Sequence, residues 1–506
     1  MTDTPLPTLS AEPPRTTPAP AERRAEPAAE PARLSPLGLA TLLLGAALPL
    51  IDFFIVNVAL PAMGRDLHTT PAVLELVVAG YGVAYAVLLV LGGRLGDSFG
   101  RRRLFLLGMA AFGVTSLACG LAPDAWSLVA ARVAQGAAAA LLLPQVLATI
   151  HAATSGPRRA RALSMYGATA GLAMVAGQIL GGVLVAADLW GTGWRAVFLV
   201  NVPVALLGLV LAARTIPGTR AADPAPVDVP GTLLLAASLI TLLLPLTEGR
   251  AAGWPVWTWV SLALFPALAV AFFLVERRAD RAEQAARSSV GGGGGRGAGR
   301  FPLVPPSLFR LPGMRRGLVL VVPFSLGFGG FMFVIAVALQ QGLRFGPVAA
   351  GGTLVPMAAA FFAASLAGPR LVGRFGSLVV TAGALFQGAG LGLLVLAVLA
   401  DWPGLGFWEL LPGLAVAGFG QGLQLPVLFR IVLADVPAER AGVGSGVMVT
   451  AQQSALALGV ATLGTLFLSL EPSIGMRDAL AITLGVQLAT VALTAGLSLR
   501  LPRTVA

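Results

Sequence analysis

The sequence predicts an all-α integral membrane protein with fourteen transmembrane helices, and its composition, its apolar runs and its arginines carry that prediction. The 506 residues are 56% hydrophobic and 11% charged, whereas a soluble domain carries about 25% charged residues. Apolar runs of about 20 residues, long enough to cross a hydrocarbon core, recur fourteen times. They lie at residues 37–62, 73–92, 104–122, 125–150, 162–187, 195–213, 231–247, 254–275, 317–341, 349–369, 377–399, 407–432, 442–468 and 478–500.

The distribution of arginine supports this count and sets the orientation. The chain has no lysine, and 28 of its 34 arginines fall on the two termini and the loops on their side. Five arginines fall on the opposite loops, and Arg132 lies within a run. Because basic residues concentrate on cytoplasmic loops, both termini are predicted to be cytoplasmic in a multi-pass protein of the cell membrane. The net charge of +11 then reflects topology and attraction to anionic lipid, and no nucleic-acid partner is expected.

A charged, glycine-rich stretch, residues 92–103, separates the second and third apolar runs. In it a carboxylate stands four residues before three consecutive arginines, and three glycines allow a tight bend. The pattern predicts a cytoplasmic loop that locks two helices through charge and releases them. Topology alone also explains basic loops, but it requires neither the carboxylate nor the glycines. The residues of this predicted gating loop are Gly93, Gly96, Asp97, Gly100, Arg101 and Arg102.

A degraded copy of this stretch, residues 368–376, follows the tenth apolar run, just as residues 92–103 follow the second apolar run. The repeat predicts two equivalent six-helix bundles, separated by an inserted helix pair and a Gly/Arg-rich cytoplasmic linker. The tail before the first run is rich in Pro, Ala and charge and is predicted to be disordered. The predicted parts are the tail at 1–36, the first bundle at 37–213, the pair at 231–275, the linker at 276–316 and the second bundle at 317–500.

Several motifs resemble those of known transporters. Residues 92–103 resemble the signature loop between spans 2 and 3 of the major facilitator superfamily. The stretches Asp52-Phe-Phe-Ile-Val-Asn57-Val-Ala-Leu-Pro, Trp194-Arg195-x-x-Phe-x-x-Asn201-x-Pro and Asp-x-Pro-x-x-Arg-Ala-Gly-x-Gly-Ser-Gly at 435–446 are similar to fourteen-span drug:proton antiporters of the EmrB/QacA type. The resemblance implies the major facilitator fold and export of hydrophobic, antibiotic-like compounds in exchange for protons.

Two positions depart from the family pattern. Gln178 in the fifth run stands where the antiporters have proline, and Ser98 replaces the usual basic residue after the loop aspartate. The first departure keeps a proton-coupled importer on the same fold as an alternative. A non-transporting membrane receptor or scaffold is the alternative from another class.

Asp52 is the leading candidate for proton coupling, since it is the acidic residue placed well inside a run. A charged side chain at the bilayer centre costs about 2.5–3.5 kcal/mol on insertion scales, so its presence needs a reason. A carboxyl that is neutral when occluded and ionised when wetted suits a proton-coupled carrier. A purely structural hydrogen bond to a neighbouring helix is the alternative.

Arg132 is the predicted partner of Asp52, because it is the arginine within a run and its depth differs by about 6 Å at 1.5 Å per residue. When Asp52 takes a proton, its attraction to Arg132 disappears, and this change could bias two access states. A static structural pair is the alternative. Other polar and aromatic residues are expected to line a substrate cavity, with helix packing as the alternative. They are Asn57, Tyr81, Tyr85, Gln135, Gln178, Phe328, Phe331, Gln421 and Gln424.

No motif for catalysis, metal binding or ATP use accompanies these residues. His68 and His151 fall on opposite sides of the predicted membrane, so no catalytic or metal-ligand cluster forms. The glycine run Gly291–Gly295 has no lysine to complete a phosphate-binding loop. The chain is therefore predicted not to be an enzyme and to need no cofactor, with the proton gradient as the implied energy source. We expect a monomer in the lipid bilayer of a bacterial cell, with a hydrophobic small molecule and protons as its partners.

Overall fold

The computed structural model describes residues 34–218, 228–249, 252–289, 302–437 and 440–501, and every regular element in these ranges is helical. Most of the predicted disordered tail and the whole glycine run Gly291–Gly295 lie outside them. The first helix begins at Pro36, where the side chain of Ser35 accepts a hydrogen bond from the Gly38 amide at 3.0 Å. Serine before a first-turn proline is a strong helix start.

The first half contains six long helices and one single turn within the described residues. They are α1 Pro36–Asp66, α2 Pro71–Phe99, α3 Arg101–Gly120, α4 Ala125–Ala153, α5 Gly156–Ala187, the single turn α6 Ala196–Leu199, and α7 Asn201–Thr215. The pair α8 Val229–Glu248 and α9 Val256–Ser289 follows. The two helices of this pair pack against each other, and α8 also contacts α2.

The second half begins after a short 3-10 turn at Pro306–Arg310. Its helices are α10 Pro312–Val337, α11 Pro347–Thr353, α12 Val355–Phe375, α13 Leu378–Asp401, α14 Phe407–Leu433, α15 Ala441–Gly459 and α16 Thr465–Ser498. A π-helical turn, Ala338–Gly342, extends α10, and another, Val460–Gly464, joins α15 to α16.

Twelve helical segments of the described residues are long and apolar enough to cross a membrane. The last of them, Ala441–Ser498, has 58 residues, nearly three times the roughly 20 that one crossing needs, and its backbone leaves the helical conformation at Gly475. The 32-residue α5 is not among the twelve. The all-helical fold is confirmed, whereas the count of fourteen spans stays a prediction.

The helices of the two halves pair in the same way. In the first half α1 packs on α5, α2 on α4, and α3 on α4 and α7. In the second half α10 packs on α15, α12 on α14, and α13 on α14 and α16. Between the halves, α2 meets α15 and α5 meets α12. The arrangement therefore has the internal symmetry that a duplicated bundle produces.

The connection from α5 to α7 is tied to the end of α1. The Asp66 carboxylate accepts hydrogen bonds from the Trp194 indole at 2.9 Å and from the Arg195 guanidinium at 2.6 Å. These two donors lower the pKa of Asp66 below its ordinary value, because they stabilise the ionised form. The Trp194-Arg195 motif thus anchors a loop in this fold.

Glycine allows the closest helix approach within the first half. A Cβ atom at Gly92 of α2 would lie 2.1 Å from the Ala140 carbonyl oxygen of α4, which is far inside van der Waals contact. The two backbones therefore pack without an intervening side chain, as small residues permit in membrane proteins.

We expect Gly92→Ala to destabilise the protein by about 1–3 kcal/mol, the usual cost of overpacking a well-packed interior. Gly392→Ala is the matched control, because a Cβ there meets nothing within 4 Å. Fluorescence-detected thermal unfolding in detergent measures both. Equal melting temperatures for the two variants would contradict the close approach of α2 and α4.

Candidate functional site

A fully buried ion pair joins α1 to α4. The Asp52 Oδ2 atom lies 2.5 Å from Nη1 of Arg132, and neither side chain has any exposed surface. Both residues lie in apolar, membrane-length segments of the chain. The two residues predicted as partners from sequence are therefore in direct contact.

Three further polar side chains complete the shell around Asp52. Its Oδ1 atom accepts hydrogen bonds from the amide of Asn201 at 2.7 Å and from the amide of Gln135 at 3.0 Å. Gln135 also donates to the Ser116 hydroxyl at 2.7 Å, and its carbonyl oxygen accepts from Arg132 at 2.7 Å. Four helices thus contribute to one network, since the residues come from α1, α3, α4 and α7.

Gln135 takes part in the network around Asp52 and is not among the residues that line the described cavity. We expected this residue in the wall of the substrate cavity, but it is fully buried and its amide is engaged by the ion pair. Its spacing of three residues from Arg132 places both side chains on the same helix face, which turns toward Asp52.

Arg132 has partners that do not depend on Asp52. Its Nε atom donates to the Val77 carbonyl at 3.1 Å, and its guanidinium lies 4.2 Å from the centre of the Tyr81 ring. Its Nη2 atom is buried and has no hydrogen-bond partner among the described residues. Losing the ionised Asp52 would therefore leave Arg132 with the Val77 carbonyl, the Gln135 carbonyl oxygen and the Tyr81 ring as its partners.

A cavity of about 120 Å³ lies between the two halves, directly beside this network. Nine of its twenty lining residues are aromatic, and none carries a charge. Tyr81 and Tyr85 of α2 stack with ring centres 6.1 Å apart, and Phe324 and Phe328 of α10 stack at 6.3 Å. Tyr81 therefore belongs both to the cavity wall and to the surroundings of Arg132.

The predicted cavity residues divide into three groups. Tyr81, Tyr85 and Phe328 lie in the wall. Asn57 and Gln178 lie on described helices, but their side chains lie outside the described part of the chain. The remaining predicted residues do not reach the cavity.

Phe331, Gln421 and Gln424 of the second half are not among the residues that line the described cavity. Phe331 is fully buried in the core of that half, and Gln424 donates to Gln387 of α13 at 2.9 Å. Gln421 shares a helix face with Leu425, which lines the cavity. It lies one turn before Leu425 in α14. Whether a side chain lines the cavity depends on the direction in which its helix face points and on how deep the cavity extends. Neither property can be deduced from the composition of an apolar run.

The predicted gating loop is helical. The helix α2 continues to Phe99 and α3 begins at Arg101, so Gly100, with a φ of 102°, is the single residue between them. This positive φ requires glycine. Arg102 donates to the Ala213 carbonyl and not to Asp97, which corrects the expected charge clamp.

The other two glycines serve close packing and not bending. A Cβ at Gly93 would lie 2.1 Å from the Gly442 carbonyl oxygen of α15, and one at Gly96 would lie 1.8 Å from the Gln145 side chain of α4. The polar composition of this stretch suggested a loop, yet the stretch stays helical because it is enclosed by α4 and α15.

Asp97 joins the two halves of the molecule. Its carboxylate pairs with Arg101 at 2.8 Å and accepts hydrogen bonds from the backbone amides of Gly442 at 3.2 Å and Val443 at 3.1 Å. These amides form the start of α15, where unpaired N–H groups and the helix dipole favour negative charge. The halves are thus closed against each other at this end.

Sequence reasoning missed several residues of the site. Asn201 stood in a quoted motif but was not assigned to Asp52, and Ser116 carried no signal. Gln452 and Gln453 of α15 and Tyr166 of α5 also line the cavity. A search for polar residues within apolar runs would have found these three, although it could not have ranked them.

An all-helical membrane protein with two equivalent halves, a cavity between them and an ion pair buried beside the cavity belongs to the class of membrane transporters. The model of the Major Facilitator Superfamily matches residues 42–245 and 229–460. The chain therefore belongs to the major facilitator superfamily and is a transporter, not an enzyme.

Comparison with known proteins adds relatives from Streptomyces and Amycolatopsis that are named as transport, resistance or export proteins. The chain is 38% identical to a probable actinorhodin transporter of Streptomyces coelicolor over 85% of its length and 72% of the relative. It is 34% identical to the puromycin resistance protein pur8 of Streptomyces alboniger, covering 85% of the chain and 81% of the relative. It is also 34% identical to the cephamycin export protein CmcT of Amycolatopsis lactamdurans, covering 83% and 82%.

A solved structure supports the fold. The human organic anion transporter MFSD10 aligns with a TM-score of 0.63 at 16% identity, covering 91% of this chain and 100% of that one. At this identity the likeness concerns the fold alone. The EmrB/QacA subtype stays a prediction.

We expect Arg132→Leu to lower the melting temperature of the detergent-solubilised protein more than the double variant Asp52→Leu/Arg132→Leu does. Removing one member of a buried ion pair costs about 3–5 kcal/mol, whereas replacing both by apolar residues is often neutral. Fluorescence-detected thermal unfolding measures the cycle. A double variant no more stable than the single variant would show that the two side chains act independently.

Proposed function

We propose that this protein exports hydrophobic, antibiotic-like compounds across the bacterial cytoplasmic membrane in exchange for protons. The family and the relatives named as export and resistance proteins support export. The observation that carries proton coupling is the Asp52–Arg132 pair, fully buried within membrane-length helices. Intramembrane ionisable residues of this kind mark proton relays and substrate paths.

The coupling step acts on Arg132. A proton arriving at Asp52 neutralises the carboxylate and removes its attraction to the guanidinium, which keeps the Val77 carbonyl, the Gln135 carbonyl oxygen and the Tyr81 ring as partners. Because Tyr81 also lines the cavity, a displaced Arg132 alters the wall that the substrate contacts. Substrate release to the outside and proton release to the inside then alternate at neighbouring sites.

The energy of the proton gradient is sufficient for such export. One charge crossing 100 mV is worth about 2.3 kcal/mol, which corresponds to a concentration ratio of about fifty for a neutral substrate at RT of about 0.59 kcal/mol. No nucleotide is needed in this scheme.

The Asp97 cluster serves as the gate of the proposed cycle. With both termini cytoplasmic, Asp97 and the start of α15 lie on the cytoplasmic side, where they hold the halves together. Opening to the cytoplasm requires these bonds to break as the halves rock about the cavity. The cavity lies between the two halves of a single chain, and we propose that the monomer transports.

The test is drug-induced proton movement in everted vesicles. We expect a transported antibiotic to release lumenal protons with the native chain and with Asp478→Asn, an exposed carboxylate outside the network, but not with Asp52→Asn. Release that persists in Asp52→Asn would exclude this carboxylate as the coupling group. Proton-driven uptake in place of release would favour an importer, which the departure at Gln178 keeps as the second candidate.

A further inference from the structure

We infer, on the basis of the proposed export function, that the substrates are uncharged, planar aromatic molecules with hydroxyl or carbonyl groups. The sequence left substrate charge open, because a lone carboxylate in an apolar cavity would suit a lipophilic cation as well as a proton. The position of that carboxylate and the chemistry of the cavity wall now separate the two cases.

The Asp52 carboxylate is not available to a substrate. It has no exposed surface and is absent from the cavity wall. One of its oxygens is held by Arg132, and the other accepts from both Gln135 and Asn201. A cation in the cavity would have to displace Arg132 to reach it.

The wall itself offers no counter-ion. None of the described lining residues is charged, and an unpaired charge loses much solvation free energy on leaving water. Aromatic faces attract cations, but the Tyr81 ring already contacts the Arg132 guanidinium at 4.2 Å. A second positive charge near that ring would be repelled by the first.

The aromatic side chains suit flat ring systems. Each half contributes one stacked pair to the wall: Tyr81 with Tyr85 at an interplanar angle of 23°, and Phe324 with Phe328 at 11°. Such flat faces favour offset stacking with a planar guest. The two pairs come from opposite halves, so a planar substrate would contact both sides of the cavity.

Ser325 supplies a specific polar contact. Ser325 is one of the residues that line the cavity, and its buried hydroxyl has no hydrogen-bond partner among the described residues. Buried hydroxyl groups are normally hydrogen-bonded, so this one is poised for a carbonyl or hydroxyl of the substrate. Ser325 is thereby assigned as a specificity-determining residue.

Binding to the purified full-length protein tests this inference separately from proton coupling. The probes are quinizarin, a neutral dihydroxyanthraquinone, and the same ring system carrying a quaternary ammonium group. We expect quinizarin to quench intrinsic fluorescence with at least tenfold higher affinity than the cation. We also expect Phe328→Leu and Ser325→Ala to weaken quinizarin binding severalfold, and the control Phe386→Leu, at an exposed site, to leave it unchanged.

Equal or tighter binding of the cation, or no binding of quinizarin, would overturn the assignment of substrate class. Loss of cation binding in Asp52→Asn would show in addition that the carboxylate receives the substrate. A protein that exports cations in exchange for protons would keep the proposed function and lose only this inference, because proton release is measured independently.

A different part of the molecule carries a second inference. Leu303, Val304 and Leu308 are almost fully buried and form one apolar cluster with Val90 of α2 and Val443 of α15. We propose that residues 303–308 are a strap that holds α2 and α15 together at the end of the molecule that carries Asp97.

Two buried carboxylates fasten the strap to α9. Glu276 accepts a hydrogen bond from the Val304 amide at 2.8 Å, and Asp280 accepts from the amide and hydroxyl of Ser307 at 3.0 and 3.1 Å. Both carboxylates are at most 5% exposed, and hydrogen bonds to charged acceptors are stronger than neutral ones. The helix pair α8–α9 is thereby linked to the junction between the halves.

The strap favours the closed state of this end. Parting α2 from α15 would expose Val90 and Val443 and remove their contacts with Leu303 and Val304, which costs apolar burial. The inserted pair α8–α9 therefore stabilises the closed gate. When the gate opens, the strap must lose its contacts with α2 and α15.

A cysteine at Ser445 reports whether this end is open. Ser445 is fully buried, and its hydroxyl lies 3.3 Å from the Pro144 carbonyl of the opposite half. In a Cys119→Ala background we expect Leu303→Ala and Glu276→Gln to raise the rate at which an impermeant maleimide labels Ser445→Cys in everted vesicles, by about threefold or more for a modest population shift. Leu378→Ala, at an exposed position, is the control and should not raise it.

If Leu303→Ala and Glu276→Gln gave the same labelling rate as the control Leu378→Ala, the proposal that residues 303–308 act as a strap would be overturned. Native Cys119, which is fully buried, monitors general loosening when Ser445 is retained and a membrane-permeant maleimide is used. An equal rise in Cys119 labelling would mean that the variants unfold, and this too would overturn a specific effect on the gate.

Discussion

The pair of Asp52 and Arg132 is the constraint around which the first half is organised. Two charges removed from water are tolerable only when each satisfies the other and the remaining polar atoms find partners. Here α1, α3, α4 and α7 all supply groups to the carboxylate and its neighbours, with Asn201 and Ser116 completing the shell, while Nη2 of Arg132 has no partner among the described residues. The network fixes the relative positions of four helices, and through the Tyr81 ring it reaches the cavity.

The cost of burying charged groups also explains which features the sequence alone could predict. Ionisable residues within apolar runs are so costly that they must meet, so Asp52 and Arg132 were predictable as partners from depth alone. The all-helical fold and the major facilitator superfamily followed from run length, arginine placement and motifs, and both are confirmed, whereas the EmrB/QacA subtype stays a prediction. Asn201 was not predictable as the third partner, because a neutral amide at a helix start has many acceptable partners.

Other features could not be predicted from the sequence. They depend on the direction in which a helix face points, on how deep the cavity extends, or on enclosure by segments that are distant in the chain. Gln421 lies on the same face of α14 as Leu425 yet misses the cavity by one turn. The stretch containing Asp97 has the composition of a loop and is nevertheless helical, since α4 and α15 surround it. Leu303 and Val304 form too short an apolar run to show any period, although both are buried. Contacts between residues far apart in sequence decide all three cases.

The contact between Gly93 and Gly442 has a consequence for how this chain can change over generations. Each glycine leaves room for the other's backbone, and a Cβ on either would lie within 2.3 Å of a carbonyl oxygen. Most damaging substitutions in a protein core can be rescued by a smaller residue opposite. No residue is smaller than glycine, so a larger residue at either position cannot be compensated by a smaller one at the other.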